Sequence, residues 1–146
     1  MSSQRRQGAA LLVVAGLLFV AVPGCVPPAP EAVLEGTWEL TGDLLDSDVS
    51  QFLITFDQDG QISAIRYVYD NFTIVINADE LVNSFANVDG QEVFISASWG
   101  SGSTLTFNGT LNAAETEIVG TTSYRLVIAP LIIVEVPTGP AVLTRQ

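Results

Sequence analysis

Histidine and lysine are both absent from this chain, and there is one cysteine, Cys25. Without histidine the commonest general acid–base group and transition-metal ligand is missing. Without lysine there is no Schiff-base chemistry, and with one cysteine no internal disulfide forms. Basic charge is nearly absent as well. From Cys25 onward only Arg66, Arg125 and Arg145 stand against sixteen acids. A body this acidic is repelled by nucleic-acid phosphates, so no nucleic-acid partner is expected. Chemistry is thereby narrowed to carboxylate catalysis or oxygen-ligand cation sites. Neither has a convincing carrier. Asp57-Gln58-Asp59-Gly60 and Asn87-Val88-Asp89-Gly90 resemble the first half of a calcium loop, but neither has a later bidentate Glu at the required spacing. Asp-Gly is also what a tight turn favours. No pair of acids is singled out for glycoside hydrolysis. No catalytic residue, metal or cofactor is assigned, and the chain is read as a non-enzyme.

What is present begins with an export signal. Met1–Gly8 is polar and carries Arg5 and Arg6, Ala9–Val22 is fourteen apolar or glycine residues, and Pro23-Gly24-Cys25 follows. This is the layout of a secretory signal peptide. Fourteen residues fall short of the roughly 20 that span a bilayer as a helix. Val22-Pro23-Gly24-Cys25 resembles the bacterial lipobox, in which the cysteine thiol is lipidated and the chain is cut just before it. The resemblance implies a signal peptide over residues 1–24, lipidation at Cys25 and anchoring in a membrane of the cell envelope. Residues 25–33 hold three prolines in a Pro-rich stretch and read as an extended tether. In Gram-negative lipoproteins an Asp after the cysteine favours the inner membrane; Val26 stands there, so the resemblance implies the outer membrane, on its periplasmic or surface face.

Residues 34–146 form one domain, long enough for a core of its own. Alternation punctuated by Gly, Asp and Asn predicts strands over Gly36–Thr41, Gln51–Asp57, Gln61–Tyr69, Phe72–Asn77, Gln91–Trp99, Ser103–Leu111 and Glu117–Ile128. Two more are expected over Leu131–Val136 and Ala141–Arg145. Trp38 and Leu40 share one face of the first, as do Phe52, Ile54 and Phe56 in the second. Asn77–Asn87 is the exception. Ala78, Leu81, Val82 and Phe85 fall at helical spacing behind an Asn77–Glu80 capping box, which predicts a short helix or a loop over one end. The fold class is all-β: a small antiparallel up-and-down barrel of about eight strands, with a β-sandwich as the alternative.

Gly36-Thr37-Trp38 resembles the Gly-X-Trp signature of the first strand in lipocalin-like (calycin) barrels. There the tryptophan plugs the closed end and a late arginine packs across its face. The resemblance implies Trp38 and Arg145 as the barrel-closing pair, with Arg125 second. Tyr67, Tyr69, Phe94, Trp99, Phe107 and Tyr124 are the candidate lining of a ligand cavity, or equally the filling of a packed barrel. Two readings of function follow. One is a lipid-anchored, lipocalin-like binding module for a small apolar ligand or lipid. The other is an envelope interaction protein whose packed barrel docks a protein or glycan. The membrane and a small apolar ligand are the expected partners, and the domain is expected to be a monomer.

Overall fold

Alternating apolar and polar residues can bury one face only by curling the sheet around it, and this chain does so. The computed structural model describes residues 33–42, 49–100, 102–129 and 132–146. The expected signal peptide, Cys25 and nearly all of the tether lie outside the described residues. Residues 43–48 lie outside them as well. The strands are β1 (Gly36–Gly42), β2 (Val49–Phe56), β3 (Ile62–Tyr69), β4 (Thr73–Asn77), β5 (Leu81–Asp89), β6 (Glu92–Trp99), β7 (Ser103–Leu111), β8 (Glu117–Ala129) and β9 (Ile132–Arg145). They form a single sheet in the order β4-β3-β2-β1-β9-β8-β7-β6-β5, antiparallel at each recorded pairing. The result is an all-β, up-and-down, nearly closed barrel of the lipocalin-like kind.

A ring of antiparallel neighbours requires an even number of lanes, and nine strands satisfy this in one way. Following the antiparallel pairings around either side of the ring, β4 and β5 run in the same direction. Only the 3-10 turn Ala78–Glu80 separates them. They are two halves of one broken lane: the first half pairs with β3, the second with β6. The break is fastened locally, since Glu80 accepts hydrogen bonds from the backbone N–H of Asn77 at 2.9 Å and from its side-chain amide at 3.2 Å. Ring closure elsewhere comes from the first and last described strands, with Trp38 paired to Arg145 and Gly42 to Ala141 in the β1–β9 ladder.

Inside the barrel the expected faces meet. Trp38, Leu40, Phe52, Ile54, Phe56, Ile65, Ile95, Leu105, Phe107, Ile118 and Leu143 are buried. At about 25 cal/mol per Å² of apolar surface, this core is the main stabilising term. Two buried hydroxyls are paired: Thr122 Oγ1 donates to the Thr106 carbonyl at 3.0 Å, and Ser103 Oγ accepts from the Val127 N–H at 3.0 Å. Between β7 and β8 the backbones approach closely at Gly109 and Gly120, which face each other. A Cβ on Gly120 would lie 1.9 Å from the Asn108 carbonyl oxygen.

Two expectations about the chain's course are corrected. The helix expected over Asn77–Asn87 is limited to the 3-10 turn Ala78–Glu80 behind the Asn77–Glu80 capping box, and residues Leu81–Asp89 are strand. Ser84, Ala86 and Val88 turn inward there, while Phe85 lies 54% exposed on the outer face and Val82 stands 66% exposed at a bulge. The apolar spacing that imitates a helix is thus made largely of outward residues. The two final strands are one, because β9 runs unbroken through Pro137 and Pro140. The β8–β9 register shifts between Thr122 and Tyr124, opposite Pro137, and β1 pairs with β9 only from Ala141 onward. Proline is tolerated where a strand is bulged or has a neighbour on one side only.

Candidate functional site

The two ends of the barrel differ in chemistry. At the end where β1 starts and β9 finishes, Trp38 is fully buried and its indole N–H donates to the Leu34 carbonyl at 2.8 Å. The Arg145 guanidinium lies 4.8 Å from the ring centroid, and one of its amino groups donates to the Val33 carbonyl. A cation over an aromatic face, shielded from water, makes a stable plug. This is the arrangement the lipocalin-like resemblance implies for the pair. Arg125 is elsewhere, exposed on β8 and paired in register with Thr104 near the opposite end.

That opposite end holds a cavity of about 510 Å³. Its lining comes from Tyr67 and Tyr69 of β3, Phe72, Ile74 and Ile76 at β4, Trp99 and Gly100 after β6, Ser103 of β7, and Leu126 and Val127 of β8. The broken lane explains where it lies. Beyond the Leu81–Trp99 pair β6 ends, so the free edge of β4 has no strand beside it and the interior opens there. Ile74 is 42% exposed although it shares the inner face of β4 with buried Ile76. Phe72 stacks on Tyr69, ring centroids 4.5 Å apart and planes 16° from parallel, to form an aromatic lip. Deeper in, Tyr67 meets Phe52 edge to face at 4.5 Å and Trp99 at 6.1 Å.

Tyr67 is the unusual group. The residue is 4% exposed, and its hydroxyl is buried with no hydrogen-bond partner among the described residues. Burial, assisted by the neighbouring Tyr69 and Tyr124, raises the phenol far above its ordinary value of about 10 and keeps it protonated. A buried hydroxyl left unpaired costs about 1–3 kcal/mol.

Of the six aromatics expected at a cavity, Tyr67, Tyr69 and Trp99 are brought together in its wall. Phe107 is fully buried in the core, and Tyr124 is buried near Tyr67 without belonging to the lining. Phe94 points the other way: Val93, Ile95, Ala97 and Trp99 take the inner face of β6, and Phe94 meets the exposed Phe85 at 6.1 Å outside. Sequence reasoning missed Phe72, Ile74, Ile76, Ser103, Leu126 and Val127. Strand alternation was the available signal for Ile74 and Ile76.

The calcium-loop resemblance at Asp57 resolves into a turn, since Asp57 Oδ1 accepts the backbone N–H groups of Asp59 and Gln61 at 3.0 and 2.9 Å. No group of three metal-ligating side chains occurs among the described residues. No helix among them is long and apolar enough to cross a membrane. No protein-family model, curated protein or solved structure matches this chain.

Proposed function

We propose that this protein is a lipid-anchored lipoprotein of the cell envelope whose lipocalin-like barrel holds a small apolar ligand or lipid. The observation that carries the reading is the roughly 510 Å³ cavity, walled by Tyr67, Tyr69, Phe72, Ile74, Trp99 and Leu126, at the end opposite the Trp38–Arg145 plug. Cavities of about 300–1,000 Å³ with mostly apolar walls and a few polar groups are the usual form of small-molecule sites. The role is that of a carrier and not of an enzyme. Lipidation at Cys25, outer-membrane residence and a monomeric state belong to the same proposal, and rest on the lipobox-like Val22-Pro23-Gly24-Cys25 with Val26 after it.

The test is native mass spectrometry of the chain purified from its own host. A stoichiometric small molecule beyond the anchor lipid is the expected result; a chain that carries the anchor alone, and takes up no apolar probe, contradicts the reading. Acyl labelling checks the anchor: Cys25→Ser abolishes it, and labelling that persists overturns the assignment.

One observation favours the docking alternative. Among the described residues, Val75, Val82 and Phe85 leave apolar surface exposed along the outside of the broken lane. Larger contiguous patches of this kind mark contact sites.

A further inference from the structure

The cavity's chemistry selects among apolar ligands. Its described lining contains three hydroxyl side chains, Tyr67, Tyr69 and Ser103, and no charged one. Ser103 Oγ already accepts the Val127 N–H, whereas the Tyr67 hydroxyl is buried and has no partner among the described residues. A carboxylate or phosphate drawn into such a wall loses its hydration without gaining a counter-ion, which is strongly unfavourable. The surrounding protein worsens this, with sixteen acids against three arginines from Cys25 onward. An uncharged carbonyl, ester or hydroxyl avoids that cost and can accept from the buried Tyr67 hydroxyl.

Resting on the carrier reading above, we infer that the ligand class is neutral: an apolar chain or ring bearing one uncharged hydrogen-bonding group, received by the Tyr67 hydroxyl, with ionised fatty acids and phosphorylated lipids excluded. Tyr67 is therefore a specificity-determining residue. Its ring forms part of the wall beside Trp99, and its hydroxyl reads the ligand's polar group. Phe72 and Tyr69, stacked at the rim, leave the polar group inside and the apolar remainder between aromatic faces.

The experiment titrates the full chain, in detergent-free lipid nanodiscs, with three probes of matched length: 2-dodecanone, dodecanoate at pH 8, and n-dodecane. Binding is read from tryptophan emission, since Trp99 lines the cavity, with free probe corrected against empty nanodiscs. The ketone is expected to bind about five- to tenfold more tightly than dodecane, the worth of one hydrogen bond, and dodecanoate more weakly than either. Tyr67→Phe, which keeps the ring in the wall, is expected to erase the ketone's advantage over dodecane. Dodecanoate binding as tightly as the ketone overturns the inference, as does a ketone preference that survives Tyr67→Phe. Failure of all three probes to bind sinks the carrier reading itself, and the two failures are thereby told apart.

Discussion

The guanidinium of Arg145 lies 4.8 Å from the centroid of the Trp38 ring, and the two residues face each other across the β1–β9 ladder. The first strand and the last are thus joined twice, by backbone pairing and by a shielded cation–π contact. The barrel is closed by its first and last described strands at the plugged end and left incomplete at the other.

Replacing Arg145 tests that closure. Arg145→Ala removes the stacking contact and the hydrogen bond to the Val33 carbonyl. The expected loss is about 1–3 kcal/mol, seen as a lower urea midpoint at unchanged slope. Arg145→Lys keeps the charge but not the planar fork, and recovers only part of the loss.

The β7–β8 approach gives a steric prediction. Gly120→Ala places a Cβ 1.9 Å from the Asn108 carbonyl oxygen and 2.5 Å from the Gly109 Cα, both backbone atoms. The strands must separate, at a cost of about 1–3 kcal/mol or more. Gly90→Ala meets no atom within 4 Å but sits at φ +61°, so it costs about 1 kcal/mol through backbone strain alone. Thermal unfolding of the two variants is expected to rank them in that order.

Tyr67 gives a pH dependence. Its folded-state pKa is raised above the unfolded value of about 10, mainly by burial. The folded form holds the proton more tightly, so the contribution to stability is complete below pH 10 and is lost as pH rises above it. Wild-type stability is expected to fall more steeply above pH 10 than that of Tyr67→Phe. In the ligand-free protein near pH 7, Tyr67→Phe is expected to be neutral or stabilising, because it removes an unpaired buried hydroxyl. Urea unfolding at several pH values checks both statements.

The turn at Asp57 is expected to need its carboxylate. Asp57→Ala frees the N–H groups of Asp59 and Gln61 and loosens the β2–β3 hairpin by about 1 kcal/mol, measurable as faster amide exchange at those residues.

Much of this fold could be read in advance, for a local reason. In β1, β2 and the middle of β7 the inward residues are the large apolar ones and the turns carry Gly, Asp or Asn, so alternation and burial coincide. β5 defeated that logic because its inward residues, Ser84 and Ala86, are small, while Val82 and Phe85 are exposed. β9 defeated it through Pro137 and Pro140, harmless where pairing is one-sided or bulged. The cavity was half legible. Whether an inward residue fills the core or lines a hole depends on where the β4–β5 lane breaks, and that is set by pairings with β3 and β6 rather than by neighbours in sequence. Phe107 and Tyr69 both face inward, yet only Tyr69 lies beside the gap.

The most direct test of the carrier reading is titration of the full chain with a neutral apolar fluorophore, N-phenyl-1-naphthylamine, alongside Ile76→Trp, which replaces a branched alkyl group in the cavity wall with a bulkier indole. Saturable binding of one probe per chain is expected, accompanied by quenching of Trp99, with at least a tenfold loss in an Ile76→Trp variant whose circular dichroism stays native. Binding that does not saturate, or that is indifferent to Ile76→Trp, would contradict it.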